Sequence, residues 1–285
     1  MNMKILKYLS LILAVILSVS CEKNVVEYDT VPADDLAEIQ LHYMNPLVSN
    51  AANYIQRIEI NGKLVTNATA TLSNYGTAPG GGVGRFFTAN PGNVNLKLYM
   101  KAKLEPKGDS LVYDQNATLA KGKYNVFVHD FTKPPVVFEN GYPFIRRETV
   151  TTDSIAWVKF YNFVYESDGV PTTKIIQYQH IDLRTGARVN IGDPVAFGES
   201  TGWEKVTVVK TDIVSAGFRT VTYRMSEVDS NGSVIGDLMV MNAAGAMVAY
   251  TGTLDTYIGR RYHQIFAGQR TVKTVVASVR TFTAL

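Results

Sequence analysis

AEIQLHYMN, residues 37–45, returns more than a hundred positions later as AWVKFYNF, residues 156–163. Each stretch opens on alanine, alternates aliphatic or aromatic side chains with polar ones, and then gives way to a polar loop. Alternation with a period of two is the signature of a β-strand, whose successive side chains point to opposite faces. Two further pairs follow in the same order. INGKLV (60–65) matches RTGARV (184–189), a hairpin corner followed by a basic residue and an aliphatic. GKYNVFVHD (122–130) matches GRRYHQIFAGQ (259–269), a glycine, a basic residue, a tyrosine and a strand. Three matches in one order predict a β unit of roughly a hundred residues used twice, the second copy longer than the first.

Helical spacing is almost absent, and other segments repeat the strand pattern. Val94, Leu96, Leu98 and Met100 point one way while Asn95, Lys97 and Tyr99 point the other; Val221, Tyr223 and Met225 alternate with Thr220, Thr222 and Arg224. Such one-sided alternation predicts antiparallel strands with one face on a core and the other in water. By the same reading, Gln40 and His42 belong to a solvated face. Asn61-Gly62, Thr185-Gly186, Asn231-Gly232 and Ala244-Gly245 are the expected hairpin corners. Pro134-Pro135 removes two backbone donors and so predicts an edge strand or a crossing between sheets. The fold class is therefore all-β, two tandem antiparallel β-sandwiches of immunoglobulin-like kind, over residues 37–139 and 154–285, joined by a linker at 140–153.

The amino terminus reads differently. Lys4 and Lys7 precede an apolar run from Tyr8 to Leu17 interrupted only by Ser10, and Ser18-Val19-Ser20 supplies small residues. This is the three-part pattern of a secretion signal, over residues 1–20, and the run is too short to span a bilayer of about 30 Å. Cys21, the one cysteine of the chain, follows at once, and residues 21–36 form a flexible tether. With a single cysteine no disulfide closes within the chain, so packing and sheet hydrogen bonds must hold it. Loss of the leader's two lysines lowers the net charge from +3 to +1. No basic cluster longer than Arg146-Arg147 or Arg260-Arg261 occurs, which argues against a nucleic-acid partner.

The leader with its CEKN (21–24), the strand opener and KGKYNVFVHDFTKPPVV (121–137) together resemble secreted lipoproteins of the Bacteroidota that carry tandem immunoglobulin-like or transthyretin-like domains of unknown function. The resemblance implies acylation of Cys21, a membrane partner through that lipid anchor, and an outer-membrane address, periplasmic or surface-facing. It brings no catalytic residues. Asp29-Thr30-Val31 and Asp153-Ser154-Ile155 resemble the short O-glycosylation motif of such proteins, which marks Thr30 and Ser154 as modification candidates; Asp109-Ser110-Leu111 has the same form.

Chemistry is thinly represented. Gly80-Gly81-Gly82-Val83-Gly84 is rich in glycine, but a phosphate cradle needs a helix after it, and Phe86-Phe87 continues as strand. His42, His129, His180 and His263 are far apart in sequence, and no acid or thiol cluster joins them, so no metal site or cofactor is expected. Glu199, Glu204 and Asp212 are scattered, and no Gly-x-Ser-x-Gly elbow exists. An enzyme is disfavoured. Sixteen tyrosines, twelve phenylalanines and two tryptophans leave aromatic residues as the main clue to binding. Trp203, after the polar GESTG, is the candidate for a ring presented to a glycan or protein, while Trp157 belongs to a strand. The expected role is a non-catalytic binding or adhesion module of the cell envelope. A structural subunit or spacer of a surface assembly such as a fimbria or uptake complex, with the carboxy-terminal strand 274–285 donated, is the alternative. An envelope hydrolase comes third.

Overall fold

Among the described residues four sheets stack face to face, a two-stranded hairpin stands apart from them, and the two sheets in the middle belong to different halves of the chain. The computed structural model describes residues 35–66, 71–77, 86–101, 109–140, 155–208 and 217–284, all within one compact unit, Ala33–Leu285. Among the described residues there is no α-helix, and a turn of 3-10 helix lies at Ala51–Asn53. Cys21, Thr30, Ser154, Asp212 and the glycine run 80–84 lie outside the described residues.

The first half contains β1 (Ala37–Tyr43), β2 (Ile55–Ile60), β3 (Lys63–Thr66), β4 (Gly76–Thr77), β5 (Phe87–Ala89), β6 (Gly92–Lys101), β7 (Asp109–Leu119), β8 (Gly122–Val128) and β9 (Val136–Glu139). The second half contains β10 (Ile155–Ser167), β11 (Val170–Pro171), β12 (Ile175–Ile181), β13 (Arg188–Asn190), β14 (Glu204–Thr207), β15 (Phe218–Val228), β16 (Val234–Asp237), β17 (Met239–Met241), β18 (Met247–Ala249), β19 (Thr251–Tyr257), β20 (Arg261–Gln269) and β21 (Ser278–Thr283).

The sequence repeat is a repeat of topology. In each half the opening strand pairs with a late strand, β1 with β8 and β10 with β20, and β9 or β21 then pairs with that late strand at the sheet edge. The short strands β5 and β14 flank the beginning of β1 and β10. The companion sheets run β3-β2-β6-β7 and β13-β12-β15, with β16 and β19 both on the far edge of β15. All three matched sequence pairs therefore fall on equivalent elements. The Asn61-Gly62 corner has both residues at positive φ (50° and 74°), the geometry of a two-residue hairpin, and closes Ile60 against Lys63. The proline pair sits in the turn ahead of β9, an edge strand as expected.

Two expectations fail. The pairings β1–β8 and β10–β20 are parallel, over seven and nine residue pairs, whereas every other pairing between named strands is antiparallel. Parallel strands are commonly covered on both faces, and these are. Ile39, Leu41, Val126 and Val128 pack with Ile58, Leu96 and Leu98 of the companion sheet, and Val158, Phe160 and Phe266 pack with Tyr178, Val221 and Met225. The opposite faces of the same strands meet each other in a third core of Met44, Tyr75, Phe127, Tyr161, Phe163, Ile265 and Phe282. Gln40 and His42 consequently have 0% exposure instead of facing water. A polar residue in the alternation marks a change of neighbour, not a solvated face. The β6 alternation did hold: Val94, Leu96, Leu98 and Met100 are buried, and Asn95, Lys97 and Tyr99 are half-buried.

Candidate functional site

The two halves differ most where the long edge strand β7 of the first is replaced in the second. There the edge of β15 is filled by β16 at one end and β19 at the other, and between them the chain leaves the sheet as the separate hairpin β17–β18. The local sequence dictates this excursion. Asn242 folds the corner by accepting the backbone N–H groups of Ala244 (3.0 Å) and Ala246 (2.9 Å) on Oδ1, with Gly245 at φ 89°. Leu238 and Val240 are buried and hold the hairpin's base. Met241 N–H donates to Arg270 O (2.7 Å), and the Arg270 guanidinium in turn donates to Met239 O (2.9 Å) and ion-pairs with Glu166. Burial alone would raise the Glu166 carboxyl, but hydrogen bonds from Arg270 and Thr172 and the charges of Arg270 and Lys174 hold it below its usual range.

Under this hairpin lies a cavity of about 510 Å³. Its walls are the β19 segment Thr251–Leu254 and residues 276–279 leading into β21; Val240 and Val248 lie on the hairpin side, and Tyr178, Tyr223 and Gln264 come from the sheets. Tyr178 stacks on Phe160 (4.1 Å between centroids) and on Tyr223 (5.4 Å), which fixes these rings. Tyr223 Oη and Thr256 Oγ1 share a hydrogen bond (3.1 Å), and burial pushes the Tyr223 phenol up to about 12. Tyr250 Oη accepts the Val279 N–H (3.1 Å), tying the hairpin's exit to β21. None of the described residues lining the cavity carries a charge. Outside it, β16 and the hairpin display Val234, Ile235, Met239 and Met247, each 39–64% exposed.

A second, smaller cleft of about 380 Å³ gathers Asp193, Glu199 and Glu204 with Ser200, Thr201 and Phe138. Two of the carboxylates noted in the sequence thus come together. Glu199 Oε2 is already engaged by the Ala196 N–H (2.9 Å).

Trp203 lies where the halves meet. It is half-buried, its indole N–H donates to Asn140 O (2.7 Å), and its ring centroid is 5.0 Å from that of His263. All four histidines are buried, contrary to the solvated face expected for His42, and the layer between the halves covers His42, His129 and His263. Burial lowers the His42 imidazole to about 4, against the opposing hydrogen bond with Asn125, and lowers those of His129, His180 and His263. His42 and His263 are neighbours, 6.1 Å between ring centroids. Among the described residues no group of three or more His, Cys, Asp or Glu could hold a metal ion. The cavity itself was missed in the sequence. Its signal was two corners close together, Asn231-Gly232 and Ala244-Gly245, enclosing apolar residues that have no counterpart in the first copy.

No family model matches the chain, and no curated protein matches it in sequence. Among solved structures, the chain is similar to one from Bacteroides uniformis provisionally named a cell adhesion protein, at 9% identity and a TM-score of 0.26 over 89% of this chain and 98% of that one. A second structure with the same provisional name, from Bacteroides ovatus, matches at 10% identity and a TM-score of 0.19 over 88% and 96%. A leucine-rich repeat protein from Bacteroides thetaiotaomicron matches at 10% identity and a TM-score of 0.24 over 83% of this chain, which spans 26% of that protein's length. At these scores the likenesses carry no argument about fold or role.

Proposed function

We propose that the chain is a non-catalytic binding module of the bacterial cell envelope, two tandem β-sandwiches of immunoglobulin-like kind held at the outer membrane by acyl chains on Cys21. The observation that carries this reading is the cavity beneath the β17–β18 hairpin, uncharged among its described lining residues and set under an insert that breaks the repeat. Loops and hairpins on a rigid sheet scaffold are where such proteins place their contacts. A glycan or an envelope protein is the ligand class. The test is a glycan-array and pull-down screen with the native acylated protein beside Val248→Arg, which puts a guanidinium at the cavity wall. Partners bound by the native protein and lost by the variant support the reading; identical binding by both removes the cavity from it.

The anchor is tested separately. Cys21→Ser is expected to move the protein from the membrane fraction to the soluble one, and intact mass of the native protein reads acyl chains together with any glycan on Thr30 or Ser154. A spacer that donates its carboxy-terminal strand is less well supported, since β21 already pairs with β20 over six residues. One observation favours a second reading, an envelope hydrolase: the cleft that gathers Asp193, Glu199 and Glu204. Turnover of a polysaccharide that Glu204→Gln abolishes would establish it.

A further inference from the structure

The cavity's lining narrows what it can hold. Resting on the reading of that cavity as the binding site, we propose that its ligand is an uncharged, hydroxyl-bearing amphiphile. Its apolar body lies against Val240, Val248, Leu254 and Val279, and a hydroxyl meets the side-chain amide of Gln264.

Three observations converge. The first is the want of charge among the described lining residues: a carboxylate or ammonium brought inside would lose hydration with no opposite charge to replace it. The second is the mixture of branched aliphatic side chains with threonine and serine along β19 and the entry to β21, which suits a molecule apolar over most of its surface. The third is Gln264. It is 1% exposed and lines the cavity, and its Oε1 has no hydrogen-bond partner among the described residues. A buried amide oxygen left without a donor is destabilising, so a ligand that supplies one gains by it. A hydroxyl both donates and accepts, and it therefore answers this amide whichever way its oxygen and nitrogen are turned.

The experiment uses the full chain carrying Cys21→Ser and three amphiphiles with the same eight-carbon tail, all below their micelle-forming concentrations. They are n-octyl β-glucoside, octanoate and octyltrimethylammonium, followed by saturation-transfer NMR and titration. The glucoside is expected to bind saturably at one site, with both charged amphiphiles at least tenfold weaker. Gln264→Leu and Val248→Arg should each weaken the glucoside at least tenfold. Leu64→Arg, at an exposed apolar residue of the first half, should leave it unchanged. Val248 lies on the exposed hairpin, so its variant keeps the test valid if Gln264→Leu fails to fold. Equal binding of all three amphiphiles would overturn the ligand class while leaving a binding cavity. Binding by none of the three, or glucoside binding indifferent to Val248→Arg, would overturn the cavity reading itself.

Discussion

Two kinds of sheet interface coexist in this molecule. The cores within each half are built from aliphatic side chains and a few ring systems: Ile39, Leu41, Leu96 and Val126 in one, Val158, Phe160, Val221 and Met225 in the other. The layer between the halves mixes Phe127, Tyr161, Phe163 and Phe282 with Gln40, His42, Asn125, His129, Lys159 and His263. Apolar burial is non-directional and scales with area, whereas a buried polar group requires a partner in a particular place. Across the middle layer such partners are found. His129 Nδ1 meets Tyr165 Oη (2.8 Å), Lys159 Nζ donates to Glu139 O (3.0 Å), and Gln269 Nε2 donates to Pro46 O (3.3 Å). Within each half, His42 bonds Asn125 Oδ1 (3.1 Å), whose amide donates to Asn140 Oδ1 (3.1 Å), and Tyr161 Oη meets His263 Nδ1 (2.9 Å). The contrast teaches that the cores supply cohesion, and the middle layer determines how one half is seated on the other.

The largest test removes the hub of that layer. Phe127 stacks on His42 (4.4 Å) and lies 4.8 Å from both Tyr161 and Phe163. Phe127→Ala should cost about 3–5 kcal/mol. It should also split urea unfolding into two transitions, because the halves lose their shared core. Leu41→Ala, in a core of one half, should cost about 2–5 kcal/mol and leave the halves coupled. A single transition in both variants would erase the distinction.

Acid provides the next test, since three of the four buried imidazoles, those of His42, His129 and His263, lie in the middle layer and are lowered by burial. An unfolded histidine titrates near 6.5 and folded His42 near 4, so between these values the unfolded chain binds more protons. Stability is complete above the unfolded value and falls as pH drops through that window, by about 3 kcal/mol at pH 4 from His42 alone. His263, lowered by burial and by its neighbours His42 and Lys159, acts in the same direction. Urea midpoints measured between pH 7 and pH 4 should slope steeply in the native protein and less in His42→Leu. A flat profile would mean that the layer is open to water.

A smaller effect is expected at the layer's rim. Trp203→Phe keeps most of the ring beside His263 but leaves Asn140 O without the indole N–H. The loss of one partly buried hydrogen bond predicts about 1 kcal/mol, read from chemical unfolding. A loss above about 3 kcal/mol would make Trp203 a packing residue of the cores' kind.

The same contrast explains what could be read in the chain. The repeat, the all-β class and the corners at residues 61–62, 185–186, 231–232 and 244–245 are local matters, set by alternation and turn chemistry within a few residues. What covers a sheet face is not local. Gln40 and Lys159 look like water-facing residues because periodicity reports a difference between two faces, and here both faces are covered. The parallel pairing of β1 with β8 joins residues 85 positions apart, and nothing in either strand's own pattern distinguishes it from an antiparallel one. The cavity was hidden for the same reason: Val248, Leu254, Gln264 and Val279 come from four separate stretches.

Gln40 offers the finest discrimination between the two kinds of interface. It is fully buried on β1, and neither its Oε1 nor its Nε2 has a hydrogen-bond partner among the described residues. Its neighbours in the layer do have partners, so Gln40 carries the desolvation cost of a polar group without the return. Gln40→Met keeps the length and flexibility of the side chain and removes that cost. If the middle layer behaved as an apolar core at this point, the variant should be more stable than the native protein by up to about 1 kcal/mol, measured as a shift in the urea midpoint at constant slope. A loss of more than about 1 kcal/mol would show that the amide is answered after all, and that the polar network extends along β1 from His42 to Gln40. In that case the seating of the halves would depend on more of the opening strand than His42.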